Sequence, residues 1–341
     1  MWRKRQLVGA RREVTQRKVI TSQPMTIRQV AKVLREILVS ASRSKKLEKI
    51  VSTSPLSKGV VNRFVAGYGT ADVVKKVAEL HQLGIYTTID RLGEDTLDLS
   101  QADQTVAAYK ELLRALHTAG QTHMAEVSVK LSAVGQALGA DGEKIALENA
   151  KQIVEVANEV GTTVTFDMED HTTIDSTLRI LNEIRKTTPS IGGVLQAQLH
   201  RTSDDVSAHA FSGSRIRLCK GAYAEGPEVA FVERAEIDKA YVRDMRTLLE
   251  SAAYPMLATH DPRLIEIGQA LALRTGRAKD SFEFQMLLGV RPEEQKRLVE
   301  LGYKVRVYVP YGDEWYGYLM RRMAEKPSNL ALFVKSLASK S

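Results

Sequence analysis

Cysteine is nearly absent from this chain: of 341 residues, only Cys219 is one. That excludes an internal disulfide framework and any cysteine-built zinc site, and it suits a reducing cytoplasm. Long apolar runs are missing too. No stretch approaches the roughly 18–20 residues that cross a bilayer, and the N-terminus shows no secretory hydrophobic region. The phosphate-cradling GxxxxGK[ST] pattern does not occur. Gly67-Tyr68-Gly69 opens like a dinucleotide fingerprint, but Asp72 stands where its third glycine belongs.

What is present can bury a full core. The chain is 43% hydrophobic and 26% charged, and long enough for one large domain or two ordinary ones. Its net charge of +8 is unevenly placed. Residues 1–50 carry 14 Lys/Arg against 3 Asp/Glu, a local +11, and the remainder sums to −3. A nucleic-acid protein carries its basic patch on the folded domain beside recognition elements. The segment MWRKRQLVGARREVTQRK offers charge alone, so no nucleic-acid partner is expected. It reads as a solvated arm, with a non-specific anion contact or a weak membrane-surface contact as alternatives.

The rest is regular. Ile27, Val30, Val33, Leu34, Ile37 and Leu38 follow helical spacing, and further helices are expected at 44–52 and 70–83. Eight short β-branched, apolar runs follow at 85–92, 126–132, 163–169, 193–199, 215–221, 255–260, 282–287 and 304–310. Amphipathic segments such as EKIALENAKQIVEVANEV separate them. Strands alternating with helices point to parallel pairing through right-handed crossovers. Eight strands close a (β/α)8 barrel of about 250 residues, which the span 85–325 fits. An open doubly wound sheet is the rival topology. The expected organisation is a basic arm with helices over 1–60, a barrel over 61–335 and a tail over 336–341.

A barrel places its working groups where its strands end. Those ends carry Glu94, Lys130, Asp167 with Glu169, Gln196, Arg217 with Lys220, Thr259 with His260, Gln285 and Tyr308. Strand ends are often polar, so each alone says little. The set, with its several cations, suggests an anionic ligand. Asp167 and Glu169 share a strand face without a local histidine, and Arg217 and Lys220 would compete with a cation, so no metal is expected. Cys219 reads as packing rather than as a nucleophile, and His200 and His209 as ordinary surface or loop residues.

The last run, KVRVYVP, ends in Pro310 and is followed by YGDEWYGYLMRRMAE. On a helix, Tyr318, Arg321, Arg322 and Glu325 share one face. Paired arginines grip a carboxylate by bidentate hydrogen bonds. The plainer reading is a solvated face with an Arg321–Glu325 ion pair worth about 0.3–0.5 kcal/mol.

The ordered pieces LGE, VKLSA, DMED, LQA, RLCKGAY, ATH, EFQML, VYVPYG and YLMRR resemble the proline dehydrogenase family through almost the whole of 85–325. The resemblance implies a distorted (β/α)8 barrel that uses FAD to oxidise L-proline to Δ1-pyrroline-5-carboxylate and passes electrons to a membrane quinone. Carried onto this sequence, Arg321, Arg322 and Lys130 grip the proline carboxylate. Tyr308 and Tyr318 orient the ring, Leu287 lines its apolar side, Asp167 holds neighbouring polar groups, and Glu94 pairs with Arg321 as a gate. The flavin is met by Gln196, Arg217, Lys220, Gly221, Ala222, Thr259, His260 and Gln285, with Arg217 nearest its reactive nitrogen and Tyr223 behind. Ala224 and Leu288 depart from the family pattern. The resemblance further implies a monofunctional cytoplasmic enzyme, peripheral to the membrane through its basic arm, and activity rising toward alkaline pH. Two other classes stay open on the residues alone. One is a different anion-binding barrel enzyme of aldolase or lyase type; the other is a non-catalytic anion binder that uses the basic arm.

Overall fold

The computed structural model describes the backbone of residues 61–93 and 96–325 and the side chains of 61–93 and 96–320. The arm and helices expected within 1–60, the tail at 336–341 and Glu94 lie outside the described residues. A helical turn at 61–64 leads to helix α1 (Thr70–His81). Strands and helices then alternate as β1 (Tyr86–Arg91), α2 (Leu99–Thr118), β2 (Ala125–Val129), α3 (Gly142–Glu159), β3 (Val164–Phe166) and α4 (Ile174–Arg185). They continue as β4 (Gly192–Gln196), α5 (Thr202–His209), β5 (Arg215–Cys219), α6 (Arg234–Glu250), β6 (Tyr254–Ala258) and α7 (Pro262–Arg274). The last are β7 (Glu283–Leu287), α8 (Pro292–Glu300), β8 (Lys304–Tyr311) and α9 (Trp315–Glu325).

All eight strands pair in parallel and in chain order, and β8 closes on β1, with Tyr86 opposite Arg306 and Arg91 opposite Tyr311. Closure removes the open-sheet alternative. The expected runs overlap all eight strands but several overshoot at their C-terminal ends. The run at 126–132 stops being strand at Val129, and a tight 3-10 turn over Ser132–Val134 follows. The run at 163–169 stops at Phe166.

Two-residue periodicity sends alternate side chains to opposite faces of the barrel wall. Ile89, Val127, Val129, Val164, Phe166, Ile216, Leu218, Leu257, Phe284, Val305, Val307 and Val309 are fully or almost fully buried in one apolar core with the helices. Their alternate neighbours Asp90, Glu126, Ser128, Arg215, Arg217, Glu283, Gln285, Arg306 and Tyr308 form polar bonds inside the barrel instead. The interior is therefore polar, unlike the branched-apolar filling usual in this architecture.

Local signals set the helix starts. Asp98 accepts from the Gln101 amide ahead of α2, and Asp261 accepts from the Arg263 amide ahead of α7, which opens on Pro262. The Gly67-Tyr68-Gly69 turn is explained the same way: Asp72 Oδ2 accepts from the amides of Tyr68 and Gly69 at 3.0 and 3.2 Å. A second apolar cluster stands apart from the core, joining Val61, Phe64, Val65 and Leu92 to Trp315, Tyr316, Tyr318, Leu319 and Met320 of α9.

Candidate active site

The C-terminal ends of the strands surround a cavity of about 1500 Å³. That exceeds the roughly 300–1,000 Å³ of ordinary small-ligand pockets, so it has room for an elongated ligand and a second, small one. Lys130, Asp167, Arg217, Lys220, Gly221, Ala222, Thr259, His260, Gln285, Leu287, Tyr308 and Tyr318 all line it, as does Tyr223. These thirteen expected site residues are brought together.

At the floor, Asp167 accepts from Ser128 Oγ at 2.7 Å, Arg217 Nη1 at 2.5 Å and Tyr308 OH at 2.7 Å. Arg217 also donates to Ser128 Oγ at 3.0 Å and to Thr88 Oγ1 at 3.3 Å, and its guanidinium lies 5.5 Å from the Tyr308 ring centre. Burial pushes the Tyr308 phenol well above its usual range, and the neighbouring Asp167 and Asp90 carboxylates add to that. Tyr308 is thus a fixed, neutral donor. Beside it, Lys130 Nζ donates to Asp90 Oδ2 at 2.6 Å. Asp90 is 1% exposed. Burial lifts its carboxyl to about 6, with the pull of Lys130 offsetting only part of the penalty and Asp167 adding to the rise.

The cavity's outer wall is built differently. Lys220 sits between Asp238 and Asp261, the latter at 3.4 Å, and Arg263 Nη2 bonds Asp261 at 2.7 Å and Asp238 at 3.0 Å. The Arg263 hydrogen bond holds Asp261 at about 2. His260 Nε2 accepts from the Leu287 amide at 2.8 Å, and Arg291 donates to the His260 carbonyl at 2.8 Å. Because an amide can only donate, His260 Nε2 carries the lone pair and Nδ1 the proton. Gly221 has φ +116° and lies so close to Gln198 that a Cβ would approach its side chain to 2.2 Å, so only glycine fits this turn.

Several expectations are corrected. Gln196 is not among the lining residues, although Val194 of the same strand is, and its Nε2 donates to the Glu169 carbonyl at 2.6 Å. Glu169 does not share the face of Asp167. The strand stops at Phe166, the chain turns, and the Glu169 carboxylate accepts instead from the Ser132 amide and hydroxyl at 3.1 and 2.7 Å. Gln285 reaches down as well as up, donating to Glu283 Oε1 at 2.6 Å. Cys219 packs partly on the core but also lines the cavity, and burial pushes its thiol up to about 11. His209 is buried rather than on the surface. Arg321 and Arg322 lie on α9, but their side chains, like all of Glu94, are outside the described residues. Asp90, Ser128 and Tyr109 were not foreseen. The Tyr109 hydroxyl bonds the Ser128 carbonyl at 2.8 Å and the Arg91 amide at 3.1 Å.

The barrel and its cavity define an enzyme of the (β/α)8 class whose binding groups sit at the C-terminal strand ends, with cations and carboxylates in close opposition. The chain belongs to the proline dehydrogenase family: the family model described as Proline dehydrogenase matches residues 73–334. It is similar to Proline dehydrogenase 1 of Bacillus subtilis (strain 168), 36% identical over 307 residues that make up 90% of this chain and 100% of the relative. It is also similar to the Proline dehydrogenase of Deinococcus radiodurans, 38% identical over 280 residues, 82% of this chain and 90% of the relative. Among solved structures, proline utilization A (PutA) from Bdellovibrio bacteriovorus inactivated by N-propargylglycine shares the fold. Its TM-score is 0.77 at 23% identity, over 93% of this chain and 39% of that one.

Proposed function

We propose that this chain oxidises L-proline to Δ1-pyrroline-5-carboxylate, with FAD as its cofactor and a membrane quinone as the eventual electron acceptor. The carrying observation is one cavity with two parts: a compact charged floor around Lys130, Asp167 and Tyr308, and a long outer wall of Lys220, Gly221, Ala222, Thr259 and His260. The residues fit a flavin dinucleotide. Arg217, which lines the cavity, has its Nε buried without a hydrogen-bond partner among the described residues.

When bound, FAD supplies the two-electron chemistry by accepting hydride from proline C5. The chain's own residues do the positioning. Lys130, Arg321 and Arg322 hold the substrate carboxylate, and Leu287, Tyr308 and Tyr318 confine the ring. Asp167 fixes Tyr308 and Arg217 by the bonds described above, so neither can turn away. Arg217, Gln285 and Lys220 serve the cofactor, with Gln196 behind the wall. Glu94 gates the mouth through Arg321. The amine must be without its extra proton when hydride leaves, so turnover rises toward alkaline pH. Holding the reacting carbon in place is where such a site gains most of its rate.

A Schiff-base lysine, as an aldolase would need, is not favoured. Lys130 is bonded to Asp90, and Lys220 to Asp238 and Asp261, so both amines are engaged by carboxylates. Among the described residues no helix is long and apolar enough to cross a membrane. We therefore assign quinone access to a peripheral contact through the basic arm, from a cytoplasmic location. Deleting residues 1–24 should weaken liposome binding. The decisive test is colour: the purified protein should be yellow and should bleach when proline is added without oxygen, forming Δ1-pyrroline-5-carboxylate. A colourless protein, or a yellow one indifferent to proline, overturns the proposal.

A further inference from the structure

Asp90 is a charged residue of the cavity floor that these roles leave unused. Its Oδ2 accepts the short bond from Lys130 Nζ at 2.6 Å. Its Oδ1 lies 3.5 Å from the Tyr109 hydroxyl, which donates more closely to the Ser128 carbonyl at 2.8 Å, and the Tyr308 hydroxyl adds a further hydrogen bond to the carboxylate. Asp167 nearby accepts three bonds of 2.7 Å or less. Among the described residues, Asp167 pairs with Arg217 and Asp90 with Lys130.

We propose that Asp90 is the resident counter-ion of Lys130 and releases it to the incoming substrate carboxylate, taking up one proton from solvent as the anion binds. This rests on the proposed function only in assigning Lys130 to a carboxylate. A carboxylate that takes Lys130 leaves Asp90, 1% exposed, without its close cation. A buried carboxylate parted from its cation takes up a proton. The bond Oδ2···Nζ breaks, one proton moves from water to the Asp90 carboxyl, and Lys130 turns to the ligand. Among the described residues, the ionisable groups facing Asp90 are Lys130 beyond β2, Asp167 beyond β3, Tyr308 and Tyr311 on β8 and Tyr109 on α2, with Arg217 of β5 reaching it through Asp167. The unliganded carboxyl already stands near 6 because of burial. Asp90 is thus a positioning residue that acts through Lys130.

Binding coupled to uptake of one proton weakens by about tenfold for each pH unit above the free carboxyl's titration. The test uses the flavin-loaded protein and cyclopentanecarboxylate, a ring acid of the right size without an amine to titrate. Its Kd should rise close to tenfold between pH 7 and 8, and calorimetry in two buffers of different ionisation enthalpy should count about one proton taken up. In Asp90→Asn the pH dependence should flatten to within about twofold. A flat wild-type profile overturns the proposal, and so does a slope retained in Asp90→Asn. Failure of cyclopentanecarboxylate to bind either protein overturns it as well. The calorimetric proton count needs no variant, so a misfolded Asp90→Asn leaves the proposal falsifiable. Proline-driven bleaching reads the proposed function separately, which keeps the two failures apart.

Discussion

The two halves of the barrel interior use the same residue types to opposite effect. In the lower half, Glu126, Arg215, Glu283 and Arg306 close on one another. Arg306 grips Glu283 through Nε at 2.7 Å and Nη2 at 3.1 Å, and Arg215 meets Glu126 at 2.5 Å. Burial pushes Glu126 up, yet the combined pull of Arg215, Arg306 and Arg217 outweighs it and holds the carboxyl at about 2. In the upper half, Asp90 has one close cation and a carboxylate neighbour, and burial wins, at about 6. Carboxylates that each feel more than one guanidinium make a structural lock, and a carboxylate with one close cation makes a site that can exchange partners.

Breaking the lock should have the largest effect. Arg306→Ala strands the buried Glu283 carboxylate, a change that costs about 3–5 kcal/mol. The melting temperature should fall by roughly 6–15 °C, and whatever folds should still bind flavin. A drop of only a degree or two would mean that the network is not the lock described. The same lock sets acid stability. A depressed carboxyl such as Glu126 contributes stability present above its usual value near 4.5 and lost as pH falls toward 2. His81, which burial lowers to about 4, adds to the loss as pH falls below 6.5.

Disturbing the exchanging half should leave the fold and change the ligand. Arg321→Met or Arg322→Met removes a charge-assisted contact worth about 1.5–3 kcal/mol. KM for proline should rise some 10–100-fold with flavin content unchanged. Loss of flavin instead would reassign the arginines to the cofactor. A smaller effect is expected at Tyr308, whose hydroxyl is tied to Asp167 and whose ring we propose occupies the space a substituent on the substrate would need. Wild-type protein should turn over hydroxyproline at least about tenfold less efficiently than proline, and Tyr308→Ser should narrow that gap to a few-fold while lowering both values. Comparable kcat/KM for the two substrates in the wild type would remove Tyr308 from specificity.

The comparison also marks what could be read from the sequence. The eight strands announced themselves because each is a short β-branched run, and thirteen of the expected site residues met because strand ends converge in a barrel. The polar interior did not announce itself, although its signal was there: in KVRVYVP the valines alternate with Arg306 and Tyr308, and in RIRLC Arg215 and Arg217 alternate with Ile216 and Leu218. Alternation says that one face is polar, and the barrel alone decides that this face is inside. Asp90 was passed over for Glu94 because a strand end cannot be placed to within a few residues from composition. Glu169 was misassigned for the same reason, since the face it takes depends on where β3 stops.

The smallest expected effect lies where the separate apolar cluster meets the site. Residues 61–66 lie against α9 through Val61, Phe64 and Val65, and the Ala66 amide bonds the Pro310 carbonyl at 2.9 Å just before that helix. Phe64 is 3% exposed and lines the cavity beside Tyr318. This segment packs mainly on α9, with Ala66 touching the main core, so its loss should shift the helix rather than unfold the barrel. Phe64→Ala should raise KM for proline by about 3–10-fold, because Tyr318, proposed to confine the substrate ring, loses a packing neighbour, with kcat and flavin content little changed. Phe64→Leu, which restores most of the apolar volume, should recover the KM. If Phe64→Ala lowers the melting temperature as far as Arg306→Ala does, the cluster belongs to the lock. The separation of stability from exchange within this barrel would then stop at its upper rim.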